Sequence, residues 1–450
     1  MIKTSRNPNI CFKKVIRVLE SKVHENEQVQ ARDIAFLMFL TLLNVINFID
    51  RQLLISFANW IKPELGLSNF EFGLLAGLVF MFFYAFMGLF MGVIADRVNR
   101  TRLIAFGVGL WSFLTMLSGA AKGFLSLAIP RMFIGVGEST LTPASLSLLG
   151  DRFPAKWQGL VVGIFGMGVS IGLGLSLFIV AYLEPILGWR GCFYALGGIG
   201  VLMAIGMLFI KETPRKQPID NTKTVLGGLS ITKVITELRS LLKQSPSLAA
   251  TLVGSVIFAL VLGAASFEQL WFVQERGFDR NEIAQRTAWI AISAGIIGNL
   301  VGGYGGDLFL RWSGIGRPYF LALVMLVLAP FTIMYRFIEP DNMLFWMGVF
   351  SMYFQIGCFY GPAFGTIQDL VPPNKRGMVI GFAVLVIQIL GAALGASTAG
   401  FMIDFFETSG FAEPYSTTLL TYTLISLISV PVFIFAGKRF EQDKLKLKGF

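Results

Sequence analysis

Long apolar segments alternate with short polar ones along almost the whole chain. Most of the segments are long enough for an α-helix to cross a hydrocarbon layer about 30 Å thick, and the two-residue alternation typical of a membrane β-barrel is absent. Twelve segments can be counted, at residues 34–59, 70–95, 103–121, 124–149, 158–182, 190–210, 248–273, 283–307, 318–335, 343–368, 377–402 and 417–436. The pattern predicts an all-α integral membrane protein with twelve transmembrane helices, six on each side of a polar loop.

Composition agrees with this pattern and leaves no room for a large soluble domain. Of the 450 residues, 55% are hydrophobic and only 14% are charged, and the mean hydropathy is +0.69. These values lie far from those of a soluble globular domain. We expect a division into a basic N-terminal tail, a first bundle, a linker, a second bundle and a C-terminal tail, at residues 1–32, 33–210, 211–246, 247–437 and 438–450.

The Lys and Arg residues predict which way the chain crosses the membrane, because cytoplasmic loops carry an excess of them. If both termini are cytoplasmic, 28 of the 37 basic residues lie on that side, seven lie in the opposite loops, and Arg51 and Arg131 lie within helices. The net charge of +10 therefore reflects orientation and contact with membrane lipids, and we expect no nucleic-acid partner. A bacterial inner membrane and a monomeric chain are the expected setting.

Two polar segments have helical periodicity. In the N-terminal tail, apolar residues recur at helical spacing among lysines and arginines over residues 12–23, which predicts a basic helix on anionic lipid, with a solvated tail as the alternative. In the linker, the same pattern from Ile231 to Leu242 predicts an amphipathic helix that ties the two halves together. A plain linker is the alternative there.

The two halves contain the same motifs in the same order. After spans 2 and 8 the chain has Gly92-x3-Asp96-x3-Arg100 and Gly303-x3-Asp307-x3-Arg311, and after spans 4 and 10 it has Asp151-x2-Pro154-x4-Gly159 and Asp369-x2-Pro372-x4-Gly377. Two halves of like construction are what a transporter built from parallel repeats requires.

Charged side chains inside the first half mark a pathway. Span 1 contains the polar run Asn47 to Gln52, with Asp50 and Arg51, and span 4 contains Arg131 and Glu138. A charge at the centre of a membrane costs about 2.5 to 3.5 kcal/mol on insertion scales, so such residues usually face a water-filled interior. Arg131 and Glu138 are seven residues apart, and Thr142 follows one turn later, so all three lie on one helix face. A static ion pair between helices is the alternative reading.

The ionisable residues limit the chemistry of ion coupling. The only histidine, His24, lies in the polar tail, so a proton relay within the membrane must use a carboxylate. Glu138 is the first candidate, Asp50 the second and Glu268 a more distant third. A carboxylate that gains and loses an arginine partner between two states can release and take up a proton. Sodium coupling through the same carboxylates is the alternative.

In the second half, the polar residues near the middle of the spans are neutral. Asn299, Gln355 and Gln388, with Phe359 and Tyr360 nearby, could contact an uncharged or amphipathic part of a substrate. Hydrogen bonds between helices are an equally good explanation for each.

The motif GVIADRVNRTR, Gly92 to Arg102, resembles the loop signature of the major facilitator superfamily, with Asn99 where most members have Gly. Together with NFIDRQ, GVGESTLTPA, DRFP and LGWRGCF, it resembles the spinster-like branch of that superfamily. The resemblance implies two six-helix bundles around a central cavity, and alternating access. It also implies a gate at the cytoplasmic helix ends, for which the candidates are Asp96, Arg97, Arg100, Asp307 and Arg311; simple charge anchoring is the alternative for the basic residues.

Other chemistries find no support in the chain. The Gly168–Gly172 sequence GVSIG matches a hydrolase nucleophile pattern, but that motif needs a strand, a turn and a histidine partner. A nucleotide-binding loop of the Gly-x4-Gly-Lys-Ser/Thr type is missing, and the three cysteines are too scattered for a metal site. We therefore expect a transporter rather than an enzyme, without cofactor or metal.

The predicted function is secondary active transport coupled to protons. The resemblance implies an amphipathic lipid substrate such as a lysophospholipid or sphingoid lipid, a small organic anion is the alternative, and a membrane sensor without transport is a third possibility. Predicted substrate-binding residues are Asn47, Arg51, Arg131, Thr142, Gln355, Phe359, Gln388 and Asn299. We predict that Arg51 pairs with Glu138 in one access state only, and that Asp50 and Arg131 form a static bond.

Overall fold

A computed structural model describes residues 29–154, 157–215, 231–372 and 375–448 of the chain. Within these ranges every regular element is a helix and none is a strand. The predicted helix of the N-terminal tail, His24 and residues 216–230 of the linker lie outside the described residues.

The first bundle contains six membrane spans, several of them broken into two helices. Their bounds are Ala31–Ser56 and Ala58–Glu64 (span 1), Asn69–Ala76 and Leu78–Arg97 (span 2), Arg100–Gly119 (span 3), Phe124–Glu138 and Leu141–Arg152 (span 4), and Gln158–Gly166 followed by Gly168–Leu208 (spans 5 and 6). Spans 5 and 6 separate at Gly188, whose φ of 65° favours glycine and reverses the chain.

The second bundle repeats this arrangement. Its bounds are Pro246–Ala264, Ala265–Phe267 and Glu268–Gln274 (span 7), Arg280–Leu300, Val301–Gly305 and Gly306–Ser313 (span 8), Arg317–Met334 (span 9), Met343–Asp369 (span 10), Arg376–Val386, Ile387–Ala393 and Leu394–Thr408 (span 11), and Pro414–Leu427 and Ser429–Lys448 (span 12). Val301–Gly305 and Ile387–Ala393 are π-helical, a local widening that is frequent at functional sites.

Ten helices of the described chain are long and apolar enough to cross a membrane. The one from Gln158 to Leu208 holds two spans because it reverses at Gly188. Span 4 is not among the ten because it is interrupted after Glu138. With these two additions, the described residues contain the twelve predicted spans.

The linker helix, Ile231–Gln244, packs on the second bundle. Its Leu238 and Leu241 are buried in one apolar cluster with Leu248 and Leu252 of span 7. Its described contacts therefore attach the linker to the second half.

Close approach of the helix backbones places span 4 directly against span 2. A Cβ atom added to Gly135 would lie 2.7 Å from the Phe80 carbonyl oxygen and 3.0 Å from the Tyr84 amide nitrogen. Only glycine fits at this crossing, and it brings the ionisable residues of span 4 beside the aromatic residues of span 2.

Among the described residues, the hydrogen bonds and ion pairs that join the two bundles lie from the middle of the membrane towards one face. We call the face that carries Arg100 and Arg317 the basic face and the other the opposite face. Towards the opposite face, Asn59 Nδ2 of span 1 donates to the Gln269 carbonyl of span 7 at 2.8 Å, and Lys62 Nζ donates to the Tyr415 hydroxyl at 3.1 Å.

At the basic face, the ion pairs among described residues stay within one half of the chain. They are Arg100–Asp151, Arg100–Glu212, Arg152–Asp33, Arg317–Asp307, Arg317–Asp369, Lys375–Glu237, Lys444–Asp369 and Lys446–Asp443. The described contacts therefore close the molecule at the opposite face and leave the bundles unlinked at the basic face.

Candidate functional site

A cavity of about 240 Å³ lies between the two bundles. Its walls come from spans 1, 2 and 5 of the first bundle and spans 7, 10 and 11 of the second. Most lining side chains are apolar, and the polar ones are Arg51, Gln52, Ser56, Ser266, Glu268, Gln269, Tyr353, Tyr360 and Gln388. A mostly apolar cavity with a few convergent polar groups is typical of a small-molecule site.

Arg51 is the cationic residue of the cavity wall. Its Nη2 and Nε atoms lie 2.8 and 3.1 Å from the same carboxylate oxygen of Glu138, Oε2. The guanidinium also lies over the rings of Phe48, Phe80 and Tyr84, with its Cζ 4.3 to 5.1 Å from the ring centroids. Aromatic faces attract a cation, so these rings keep Arg51 at the cavity wall whether or not the carboxylate holds it.

Glu138 forms the ion pair predicted with Arg51 through one carboxylate oxygen. The residue ends the first helix of span 4, and its side chain is buried. Its other oxygen, Oε1, lies beside the buried amide of Asn47; the two side chains are close enough to interact, although neither Oε1 nor Nδ2 of Asn47 makes a hydrogen bond of ordinary geometry. Oε1 is therefore held less firmly than Oε2. The release of Arg51 in another access state stays a prediction.

The predicted bond between Asp50 and Arg131 is absent from this structure. Asp50 Oδ2 accepts a hydrogen bond from the Thr115 hydroxyl at 2.5 Å, while Arg131 Nη2 donates to the Arg51 carbonyl at 2.8 Å and its Nε has no partner. Arg131 also lies over the Phe80 ring at 4.7 Å. Two residues at a similar depth in the membrane need not meet, because depth says nothing about the direction in which a side chain leaves its helix.

Span 10 faces the cavity with a different set of residues from those predicted. Tyr353, Ile356 and Tyr360 line the cavity at helical spacing. Phe359 is instead fully buried and stacks on Phe258, with ring centroids 4.7 Å apart. Gln355 borders a separate chamber of about 30 Å³ inside the second bundle. Each residue along a helix turns the side chain by about 100°, so neighbours of a lining residue point elsewhere.

The remaining predicted substrate residues have mixed positions. Gln388 lines the cavity from the π-helical part of span 11. Asn299 donates from Nδ2 to the Gly295 carbonyl at 2.8 Å and to the Ser170 hydroxyl at 3.2 Å, so it links spans 8 and 5. Thr142 is half-buried beyond the break in span 4 and does not border the cavity. Of the eight predicted residues, Arg51 and Gln388 line the cavity.

A second buried ion pair in the second bundle was missed in the sequence. Glu268 and Arg336 are both almost fully buried; Arg336 Nη1 donates to Oε2 at 3.0 Å, Nη2 donates to Oε1, and the Tyr335 hydroxyl donates to Oε1 at 3.3 Å. Arg336 lies in the turn after span 9, two residues beyond its last helical residue, Met334, and its side chain turns back into the bundle. Only the unpaired acid in span 7 signalled that a basic partner was needed.

The predicted gate residues have unequal surroundings. Arg100 is fully buried and binds Asp151 and Glu212 at 2.5 and 2.7 Å. Asp96 and Arg97 are exposed at the end of span 2.

In the second half, Arg317 rather than Arg311 corresponds to Arg100. Arg317 is the first residue of span 9, as Arg100 is the first residue of span 3, and it binds Asp307 and Asp369, each at 2.6 Å. Arg311 is exposed. The sequence motif had matched Arg311 because it has the same spacing from Asp307.

Known proteins of similar sequence are transporters. The sequence profile of the Major Facilitator Superfamily matches residues 40–396. The chain is 30% identical to the cis,cis-muconate transport protein of Acinetobacter baylyi, over 82% of this chain and 87% of that one. It is 22% identical to a protein of Arabidopsis thaliana named probable sphingolipid transporter spinster homolog 2, over 90% of this chain and 88% of that one.

Solved structures agree with the fold. A bacterial homolog of the human lysosomal transporter spinster, in an inward-facing and unoccupied conformation, superposes with a TM-score of 0.79 at 22% identity, covering 92% of this chain and 99% of that one. The predicted resemblance to spinster proteins agrees with this shared fold and with the sequence similarity to proteins named spinster. With the family match spanning both bundles and the cavity between them, this chain belongs to the Major Facilitator Superfamily.

Proposed function

We propose that this protein is a proton-coupled secondary transporter that moves an organic anion with an apolar body by alternating access. The observation that carries the proposal is the Arg51–Glu138 pair, in which the arginine borders a mostly apolar cavity and the acid lies behind it. Alternating access is supported by the bundles themselves, whose described hydrogen bonds and ion pairs join them towards the opposite face and not at the basic face.

The pair gives a simple coupling chemistry. When Glu138 is ionised it holds Arg51 through Oε2, and the cation is neutralised. When Glu138 takes up a proton, its charge is lost and Arg51 is free to bind an anionic group of the substrate. An unpaired Arg51 is costly in an apolar cavity, so Arg51 is paired either with ionised Glu138 or with the substrate anion. It binds the anion only when Glu138 carries the proton. Proton and anion therefore cross the membrane in the same direction.

The substrate class follows from the cavity. A single cationic residue among apolar lining side chains fits an anion that carries an apolar portion. A cavity of about 240 Å³ is smaller than typical drug-sized sites of roughly 300 to 1,000 Å³, which favours a small organic acid, in keeping with the muconate transport protein among the relatives.

A lysophospholipid or sphingoid lipid is the second candidate. The apolar walls formed by Phe48, Leu173, Leu177 and Met352 would suit an acyl chain, and one relative carries a sphingolipid transporter name. Such a substrate would have to extend beyond the cavity, between the bundles.

Uptake by the purified full chain in proteoliposomes tests both candidates. Under an imposed pH difference, radiolabelled small carboxylates, cis,cis-muconate and 6-aminohexanoate, and lysophosphatidic acid are offered separately. We expect accumulation of one of them against its gradient, and loss of that accumulation when the pH difference is collapsed. Exchange without accumulation would refute proton coupling, and sodium-driven accumulation would assign the carboxylates to sodium. Absence of both exchange and accumulation, despite ligand-induced thermal stabilisation, would favour a sensor.

We also infer that the basic face is cytoplasmic and that both termini lie on that side, in a bacterial inner membrane. The excess of Lys and Arg at this face supports the orientation. The cavity then belongs to the inward-facing branch of the transport cycle. A monomer is sufficient, since both bundles and the cavity come from one chain.

A further inference from the structure

The two halves of the chain place matching residue triplets at the same cavity. Arg51-Gln52-Leu53 in span 1 and Glu268-Gln269-Leu270 in span 7 are 217 positions apart, the separation that also relates Arg100 to Arg317. The Arg, the Glu and both glutamines line the cavity, while the two leucines are fully buried. The repeated helices thus present opposite charges to one cavity.

Each bundle exposes one member of a buried ion pair to the cavity and keeps the other behind it. In the first bundle the lining member is the base, Arg51, and Glu138 does not border the cavity. In the second bundle the lining member is the acid, Glu268. Arg336 borders the chamber of about 30 Å³ and not this cavity.

Arg336 is held away from the cavity by aromatic rings. Its Cζ lies 4.2 Å from the Trp271 ring centroid and 4.3 Å from that of Tyr335. Both oxygens of Glu268 accept from Arg336, and Oε1 also accepts from the Tyr335 hydroxyl. An ionised carboxylate offers about four acceptor positions, so Glu268 retains the capacity to accept from one donor on the cavity side.

We propose that Glu268 binds a cationic group of the substrate, so that the transported molecule is a dipolar organic ion with its acidic end at Arg51 and its ammonium end at Glu268. This inference rests on the proposed function, since it assigns the second end of the same substrate. Gln52 and Gln269 lie next to the two charges in the sequence, line the same cavity and supply neutral hydrogen-bonding groups at each end.

The test is ligand-induced thermal stabilisation of the purified full chain by probes that differ only at one end. The probes are straight-chain monocarboxylates, ω-amino carboxylates and dicarboxylates of four, six, eight and twelve carbons. We expect one length of ω-amino carboxylate to bind about tenfold more tightly than the matching monocarboxylate, because one charge-assisted hydrogen bond contributes that much. The matching dicarboxylate should bind more weakly than either.

Substitutions test whether Glu268 causes the preference for the ω-amino group. In Glu268→Gln the preference for the ω-amino group should be lost, and the monocarboxylate should bind as before. Since that variant leaves Arg336 without a partner and could fail to fold, the pair Glu268→Gln with Arg336→Gln is measured as well and should give the same loss. Glu282→Gln, which breaks an exposed pair with Arg286, is the matched control and should retain the preference.

The inference is overturned if ω-amino carboxylates of every length bind no better than monocarboxylates, or if the preference survives in the double variant. Glu268 would then serve only to hold Arg336. Failure of the proposed function is a different result: Arg51→Gln would leave monocarboxylate binding unchanged.

Discussion

Arg51 holds Glu138 through one carboxylate oxygen, whereas Arg336 holds Glu268 through both. The Tyr335 hydroxyl also donates to Glu268 and so fixes the Arg336–Glu268 pair further. In the Arg51–Glu138 pair, Oε1 of Glu138 has only the neighbouring Asn47 amide, without a hydrogen bond of ordinary geometry, and the pair lies beside the break that ends the first helix of span 4. The first pair is therefore the easier to separate, which is what a coupling site requires.

A double-mutant cycle measures this pair. Removing one member leaves an uncompensated buried charge, at a cost of about 3 to 5 kcal/mol, so Arg51→Gln and Glu138→Gln should each destabilise the protein. The double variant should recover part of the loss, with a coupling energy well above about 0.5 kcal/mol in thermal unfolding. The cycle of Asp50→Asn and Arg131→Gln, whose side chains form no ion pair here, is the control. Additive effects for the first pair would contradict the switch.

Glu138→Gln alone should separate binding from coupling. The amide keeps the shape of the side chain but cannot take up and release a proton at the pH of the assay. We expect substrate-induced thermal stabilisation to persist while accumulation driven by a pH difference is abolished. If the variant still accumulates substrate against a gradient, Glu138 is not the coupling residue.

For single residues, the sequence predicts which charged side chains are buried in the membrane better than it predicts which residues they contact. Four ionisable residues in the membrane were found because each is costly there, and all four are buried together. The partner of Asp50 was mispredicted, and Phe359 was chosen in place of its neighbour Tyr360. The position of a residue along a helix gives its depth in the membrane. The neighbour that its side chain faces depends on how the helices pack, which cannot be read from a single sequence.

The helices were predicted closely because their apolar length decides them. Interruptions inside them were not predicted, although they position the site. The break after Glu138 ends a helix at the coupling acid, and the π-helical segment of span 11 presents Gln388 to the cavity. Such local changes in hydrogen bonding have no strong signal in hydrophobicity, since the residues on either side are equally apolar.

Close packing of spans 2 and 11 gives an element-scale prediction. A Cβ atom added to Gly73 would lie 2.4 Å from the Ala396 carbonyl oxygen, a backbone atom that cannot turn away. Gly73→Leu should therefore force the bundles apart towards the opposite face. A reporter cysteine at Gln52, in a cysteine-free background, should then react with a membrane-impermeant maleimide added from that side.

Gly88→Leu is the matched control for that experiment. Gly88 lies in the same span, and a Cβ atom there would have no neighbour within 4 Å. Equal labelling in the two variants would show that the Gly73 contact does not keep the opposite face closed.

For the whole molecule, orientation is the first quantity to measure. The basic face should be cytoplasmic because it carries most Lys and Arg residues. A cysteine at Asn221, in the linker outside the described residues, should be labelled from the cytoplasm only, and one at Ser409, after span 11, from the other side only. Labelling of both from one side would refute the twelve-span arrangement.

The closure at the opposite face includes a carboxylate placed on a helix start of the other bundle. Asp404 of span 11 accepts from the backbone N–H groups of Asn69 and Phe70 at 3.0 and 2.8 Å, and from Asn69 Nδ2 at 2.8 Å. Negative charge is favoured at a helix N-terminus, and the first N–H groups there have no partner within the helix. Asp404 thus satisfies span 2 only while the bundles are together.

Asp404→Asn should therefore shift the protein towards states open at the opposite face. The asparagine keeps one acceptor oxygen but loses the charge, and a charge-assisted hydrogen bond contributes about 1.5 to 3 kcal/mol, or about tenfold or more in the equilibrium. The Gln52 cysteine should accordingly be labelled from that side at a rate about tenfold higher. Asp341→Asn, in an exposed loop at the same face, should leave the rate unchanged. An unchanged rate in Asp404→Asn as well would mean that the close packing of spans 2 and 11, rather than this carboxylate, keeps the opposite face closed.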